Sequence, residues 1–142
     1  MEYVEEHGSD LSELETLVVG GSAAPEAMIR FFDDCGVSVL HAWGMTETTP
    51  IGSAAHLRAD LQDADYETRL HKRVKQGLVM PGLEFRVVDA DGEEVAWNGE
   101  DFGELQIRGP WVTTEYFGRP ETDDAEFEDG YLTTGDVVTV DA

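Results

Sequence analysis

Two short apolar runs constrain the fold most, because a segment with helical spacing separates them. Thr16–Val19 and Val37–Leu40 each have the length and composition of a buried strand. Pro25 and Glu26 suit the first turn of a helix, and Gly36 suits its end. The apolar positions between them recur with helical spacing: Ala27, Met28, Phe31, Phe32 and Cys35. The pattern predicts a βαβ unit with parallel strands and a right-handed crossover.

Small or polar residues follow both predicted strands. Gly20–Ala24 has no bulky side chain, and Ala42–Thr49 carries an aromatic ring, hydroxyls and a carboxylate. Parallel strands place these loops at the same edge of the sheet, within reach of one ligand. Trp43 offers a flat face, Thr46 a donor for a phosphate oxygen, and Glu47 an oxygen ligand for Mg²⁺. Taken alone, the second loop is compatible with a nucleotide-phosphate site or with a connection that binds nothing.

The next segment, Asp60–Gln76, is predicted to be one helix ending at Gly77. Within it, His71–Lys75 is basic. An anion or phosphopantetheine patch is one interpretation, and a solvated helix end that matches the helix dipole is the favoured one. We interpret Cys35 as a buried small hydrophobe rather than a nucleophile.

From Gly77 the pattern becomes that of a small antiparallel sheet or partial barrel. Glu84–Val88 and Gly103–Arg108 alternate as strands, and a turn at Asp89–Gly92 is predicted to return the chain through Glu93–Ala96. Thr113 to Phe127 is irregular and acidic. Near the end, Gly135-Asp136 is predicted to turn between two short strands, Leu132–Thr134 and Val137–Val140. We therefore divide the chain into an α/β segment, 1–76, and a β-rich segment, 77–142.

The charge is strongly unbalanced, with 31 acidic residues against 9 basic ones and a net charge of −22. Such a field repels nucleic acid and anionic lipid. The acids are spread along the chain, as on a solvated surface, and we hypothesise a halophilic source. A melting temperature that does not rise with KCl would contradict that hypothesis.

The sequence also bears on disulfides, membrane spans and location. One cysteine excludes an intrachain disulfide, and no run approaches the roughly 20 apolar residues of a membrane span. A cytoplasmic location is expected.

Four segments together resemble conserved motifs of the adenylate-forming (AMP-binding) superfamily: Gly20–Pro25, Trp43–Thr48, Gly103–Gly109 and Tyr131–Asp136. The resemblance extends from about Leu14 to Asp141. Within the superfamily, His41–Glu47 and Arg108–Val112 are most similar to medium- and long-chain fatty-acyl-CoA synthetases. The resemblance implies that this chain is a piece of the large N-terminal domain of such an enzyme. That piece would contain a βαβ sheet layer followed by a small antiparallel, β-barrel-like subdomain.

The resemblance also implies an activity. A fatty carboxylate would react with MgATP to give an acyl-adenylate, and coenzyme A would then take the acyl group and release AMP. The implied adenine contacts are Gly21, Ser22, Ala23, Ala42 and Trp43. Thr46 would hold the α-phosphate, Glu47 the Mg²⁺, and Asp136 the ribose hydroxyls; Thr46 and Glu47 are the implied catalytic residues.

The departures from the family pattern are equally informative. Nothing before Gly20 resembles the family's lysine-bearing phosphate loop, and no small C-terminal domain follows Thr134-Gly135-Asp136. Trp43 replaces a commoner tyrosine, and Thr133 stands where a basic residue is frequent. We therefore expect an internal piece that needs the missing N- and C-terminal parts and is inactive alone. The alternatives are another adenylate-forming ligase (aryl, short-chain or amino acid), a non-catalytic nucleotide-binding remnant, and an acidic domain without a ligand.

Overall fold

The computed structural model describes residues 2–118 and 127–142, so 119–126, within the segment predicted to be irregular, lies outside it. The helices are α1 Glu2–His7, α2 Glu26–Asp34 and α3 Tyr66–Arg73. The strands are β1 Thr16–Val19, β2 Ser38–Trp43, β3 Ser53–Ala54, β4 Leu78–Val79, β5 Glu84–Val88, β6 Phe102–Arg108, β7 Phe127–Glu128 and β8 Tyr131–Thr139. Two compact units result: unit 1 is Met1–Thr46 with Pro50–Met80, and unit 2 is Glu47–Thr49 with Pro81–Ala142.

Unit 1 contains a four-stranded sheet in the order β1-β2-β3-β4. The strands β1 and β2 are parallel and joined through α2, which confirms the predicted βαβ unit. The strands β3 and β4 extend the sheet in the antiparallel sense. Residues from both longer helices and from β2 form the core, in which Ala24, Ile29, Val39 and Leu70 are buried. Burial of these apolar side chains holds α2 and α3 on the sheet.

Two predictions for unit 1 are wrong. The segment Asp60–Gln76 is not one helix, because Asp65 accepts hydrogen bonds from the backbone and hydroxyl of Thr68 and so caps α3 at its start. Only a 3₁₀ turn, Ala59–Leu61, precedes that cap. Cys35 is exposed rather than buried, since it follows the last turn of α2 and Ile29 takes the central core position instead.

Unit 2 contains a four-stranded antiparallel sheet in the order β5-β6-β8-β7. Alternate residues on one face are buried: Val87, Leu105, Ile107 and Leu132. The predicted fold class, α/β with a βαβ layer followed by an antiparallel β subdomain, is therefore confirmed. Among the described residues, no helix is long and apolar enough to cross a membrane.

The opposite face of this sheet is polar and tightly connected. Arg86 Nε donates to Gln106 Oε1 at 2.6 Å, and Gln106 Nε2 donates to Glu128 at 2.9 Å. The ring of Tyr131 lies between two guanidinium groups, with Arg86 at 4.6 Å and Arg108 at 4.4 Å from its centroid. These contacts tie all four strands together, because each strand contributes at least one partner.

Of two strand predictions for unit 2, one is confirmed in shortened form and one is wrong. After the turn at Asp89–Gly92 the chain returns antiparallel to β5 through the bridge Val88 to Glu94, and Val95 N donates to the Val87 carbonyl at 3.0 Å. Thr134 to Asp136 is not a turn between two strands. It is an irregularity inside the single strand β8, whose pairing with β6 continues on both sides.

Candidate functional site

The loop after β1 lies against the end of β2. Val19 pairs with His41 in the parallel register, so the next residues of both strands are also neighbours. A Cβ on Gly20 would lie 3.2 Å from the carbonyl oxygen of Ala42, which is tighter than most real contacts allow. Gly21, Ser22 and Ala23 follow as an exposed stretch, with Gly21 in the left-handed region at φ +75°. The sequence-predicted loop and the residue Ala42 are therefore brought together within unit 1.

Trp43 is half-buried, and small residues shape its surroundings. Its ring packs against Gly52, where any Cβ would overlap the indole, and its carbonyl accepts a hydrogen bond from Gly52 at 2.9 Å. Gly44 is needed for a second close approach, because a Cβ there would overlap the carbonyl of Pro50. The backbone at Gly52 therefore packs directly against the indole and limits its movement, which favours ordered stacking on a planar ligand.

The Thr46–Thr48 segment forms a 3₁₀ turn that exposes Thr46, half-buries Glu47 and buries Thr48 completely. Thr49 follows with φ +46°, a left-handed conformation that is unfavourable for a β-branched residue. Such a conformation persists only where surrounding contacts fix it, and it is common beside functional residues.

Those contacts come from the 111–116 segment of unit 2. Thr113 N donates to the Glu47 carbonyl at 2.8 Å, and Thr49 Oγ1 donates to the Trp111 carbonyl at 2.9 Å. The Tyr116 hydroxyl donates to Glu47 Oε1 at 3.0 Å. Sequence reasoning missed Tyr116 and Thr113, since no local pattern links them to a residue so far back in the chain.

Glu47 carries one carboxylate, and the described residues contain no cluster of three His, Cys, Asp or Glu side chains suited to a metal. One carboxylate nevertheless fits Mg²⁺, which proteins commonly bind through one or two carboxylates, with waters and substrate phosphates completing the shell. The donor set at Glu47 is compatible with a metal that arrives bound to a polyphosphate.

Asp136 lies on the exposed part of β8, directly after Gly135, which has φ +76°. Its backbone N–H donates to Thr134 Oγ1 at 3.1 Å. The same hydroxyl donates to the Leu105 carbonyl at 2.8 Å. Thr134 is thus a third residue that sequence reasoning missed, although it is part of the motif that includes Asp136.

The basic segment His71–Lys75 is partly structural. Arg73 forms a two-pronged ion pair with Asp33, with nitrogen–oxygen distances of 2.7 and 2.8 Å, and both side chains are largely buried. Burial raises the pKa of the Asp33 carboxyl, but hydrogen bonds from Arg73 and Tyr66 outweigh it, so the pKa lies below its ordinary value. Arg73 therefore joins α3 to α2 and supports the favoured structural interpretation for its position.

Comparison with known proteins gives one consistent family. The model of the AMP-binding enzyme family matches residues 1–117. A long-chain-fatty-acid–CoA ligase of Thermus thermophilus is 39% identical over 99% of this chain and 26% of its own length. A medium-chain-fatty-acid–CoA ligase of Ectopseudomonas oleovorans is 40% identical over 96% of this chain and 25% of its own length. The chain thus spans about a quarter of the curated relatives it matches.

A solved structure extends the comparison to three dimensions. The O-succinylbenzoate coenzyme A synthetase of Bacillus subtilis, in complex with ATP and magnesium ion, superimposes with a TM-score of 0.76 and 25% sequence identity. The match covers 99% of this chain and 27% of that one.

Proposed function

The chain belongs to the AMP-binding enzyme family, and on that basis we propose that it supplies the adenosine-binding part of an acid–CoA ligase. In the proposed first step, a carboxylate oxygen of the acid attacks the α-phosphorus of ATP. The bond from that phosphorus to the pyrophosphate oxygen breaks, and acyl-adenylate forms. In the second step, the thiolate of coenzyme A attacks the acyl carbonyl and AMP leaves.

The observation that most supports the proposal is the close approach of Gly20 to Ala42 within unit 1. It places a loop without bulky side chains next to the residue that precedes Trp43. We propose that Gly21, Ser22 and Ala23 lie along the adenine edge, that Ala42 contacts the purine, and that Trp43 stacks on it. A flat base needs such an arrangement, since backbone and ring can then enclose it without side-chain clashes.

The proposed phosphate contacts follow from the turn after β2. Thr46 is exposed and would donate its hydroxyl hydrogen to an α-phosphate oxygen. Glu47 would hold the Mg²⁺ that accompanies ATP, and the metal would neutralise phosphate charge. The chain's own contribution is positioning, because the Thr113 and Tyr116 contacts hold Glu47 in one orientation before any ligand binds.

Asp136 is proposed to bind the sugar. A carboxylate has two acceptor oxygens and is therefore suited to the paired 2′ and 3′ hydroxyls of a ribose.

We further propose a medium- or long-chain fatty acid as the substrate, which the two fatty-acid ligases at 39% and 40% identity support. An aromatic acid is the alternative, since the structural relative that binds ATP and magnesium ion is an O-succinylbenzoate ligase. A fatty acid implies an apolar pocket, whereas an aromatic acid implies a flat one. Activity measured with a panel of acids therefore distinguishes the two substrate classes.

Acid-dependent ATP–pyrophosphate exchange tests the proposal. In the relatives this sequence is about a quarter of a longer chain, so exchange is measured for the 142-residue chain alone and with the other parts of such an enzyme added. We expect exchange with octanoate or palmitate only in the combined sample. Glu47→Gln is expected to lower it at least about a hundredfold, and Glu100→Gln, an exposed matched control, to leave it unchanged.

Three outcomes would contradict parts of the proposal. Exchange with benzoate but not with fatty acids would replace the substrate class. Exchange by the chain alone would refute the need for other parts. Retention of AMP binding without exchange under any condition would favour a non-catalytic nucleotide-binding protein.

A further inference from the structure

The strand that carries Asp136 contains two extra residues at that point. Glu104 of β6 pairs with Val137 of β8, and Gln106 pairs with Thr133. Two steps along β6 (104 to 106) therefore correspond to four along β8 (133 to 137), and the surplus forms a bulge at 134–136. Bulges bend a strand and redirect its side chains, and they are frequent beside active sites.

One side chain fixes the backbone inside this bulge. Thr134 Oγ1 donates its hydrogen to the carbonyl of Leu105 on the neighbouring strand, at 2.8 Å. The same oxygen accepts the N–H of Asp136, at 3.1 Å. The hydroxyl therefore replaces the ladder hydrogen bonds that the bulge interrupts, and it connects Asp136 directly to β6.

The sheet around the bulge is well fixed, so the Thr134 contacts join the bulge to a firm neighbour. Leu132 and Gln106 are 1% and 2% exposed, and the ring of Tyr131 lies between two arginines. Gly135, at φ +76°, has no Cβ to restrict the next peptide. Because Gly135 is exposed and glycine allows many backbone conformations, the Thr134 hydroxyl helps to fix the direction of Asp136.

From this geometry we propose that Thr134 is a positioning residue for ribose recognition, which aims the Asp136 carboxylate at the paired hydroxyls of a ribonucleotide. The proposal rests on the proposed function, since it assumes that Asp136 binds the sugar. It assigns to Thr134 the selection of ribonucleotides over deoxyribonucleotides. Its action is indirect, through the backbone of Asp136.

The test compares ATP with 2′,3′-dideoxy-ATP in equilibrium binding to the 142-residue chain, with the other parts of such an enzyme added where needed. Thr134→Val keeps the side-chain shape and removes the hydroxyl, whereas Thr134→Ser keeps the hydroxyl. We expect Thr134→Val to reduce the preference for ATP about tenfold, without changing dideoxy-ATP affinity. Thr134→Ser is expected to restore the preference. Thr139→Val, on the exposed end of β8, is the matched control and should behave as wild type.

A second measurement needs no ligand. Hydrogen exchange of the Asp136 amide should accelerate in Thr134→Val and stay slow in Thr134→Ser. Equal exchange rates in both variants would overturn the positioning role whether or not nucleotide binds. An unchanged ATP preference in Thr134→Val, with the preference lost in Asp136→Asn, would overturn the role of Thr134 alone. Equal binding of both nucleotides by wild type would instead refute the ribose role of Asp136, and the inference with it.

Discussion

Glu47 accepts a hydrogen bond from Tyr116, which lies 69 residues further along the chain. The phenol fixes one carboxylate oxygen, Oε1, and the backbone contact from Thr113 fixes the main chain of the same residue. An exposed glutamate ordinarily samples many rotamers, and ordering it costs free energy when a ligand binds. Tyr116 reduces that cost because the orientation of the carboxylate is already set.

Tyr116→Phe is therefore expected to weaken the metal-dependent part of nucleotide binding. Ordering a side chain with many rotamers costs about 0.5–1.5 kcal/mol, so the Mg²⁺ concentration for half-maximal ATP binding should rise roughly two- to tenfold. AMP binding without metal should not change. The measurement is a Mg²⁺ titration at fixed ATP.

Tyr131→Phe is the control, since it removes a hydroxyl from the same unit and retains the ring between Arg86 and Arg108. If the two variants respond alike, or if metal-free AMP binding falls in Tyr116→Phe, Tyr116 has no specific relation to Glu47.

At this scale the sequence indicates candidate residues only where the signal is local. Trp43, Thr46 and Glu47 are recognisable because a glycine, hydroxyls and a proline surround them within ten positions. Tyr116 is not recognisable in the same way, because its contact with Glu47 exists only after the chain has folded. The left-handed conformation of Thr49 is likewise invisible in the sequence, since it depends on the Trp111 contact.

At the scale of elements, the βαβ unit and the β-rich second half follow from the apolar pattern. The start of α3 after Asp65 and the bulge within β8 do not follow from it. The capping aspartate Asp65 overrides the extended helix pattern, and one side chain therefore determines where α3 begins. Gly135 suggested a turn, but pairing on both sides keeps β8 continuous. In each case a contact with a neighbouring strand or a capping group outweighed local propensity.

The two longer helices of unit 1 are joined by Asp33, which accepts hydrogen bonds from Arg73 and from Tyr66 at opposite ends of α3. Asp33→Asn removes the charge from this connection, and we expect it to lower the free energy of unfolding by about 1–3 kcal/mol. Urea unfolding measures the change. Asp34→Asn, at the exposed neighbouring position, is the control and should have little effect.

The same pair predicts a pH dependence. The pKa of Asp33 is lowered in the folded chain from an ordinary value of 3.8, so its contribution is complete above about that pH. It is lost as the pH falls through the lower folded-state pKa. The stability difference between wild type and Asp33→Asn should therefore shrink only in acid. A difference that is constant down to the lowest pH at which the chain folds would contradict the ion-pair account.

At the scale of the whole molecule, the net charge affects both folding and the binding of an anionic nucleotide. With 31 acidic and 9 basic residues, the negative charges outnumber the positive ones by 22 (31 minus 9). Their mutual repulsion opposes both folding and the approach of an anionic nucleotide. At about 1 M salt the screening length is only about 3 Å, which removes most of that repulsion. We therefore propose concentrated KCl as the natural condition for this chain and for binding experiments on it.

The central claim is that separated motifs in this chain bind a single adenosine monophosphate, and calorimetric titration with AMP in about 1 M KCl tests it most directly. We expect one AMP per chain. Trp43→Ala should weaken binding through loss of base stacking, and Asp136→Asn through loss of the ribose contacts, each by about tenfold. Trp97→Ala, an exposed tryptophan outside the proposed contacts, should leave the affinity within about twofold. Absence of saturable AMP binding, or an affinity that neither Trp43→Ala nor Asp136→Asn lowers, would contradict the claim.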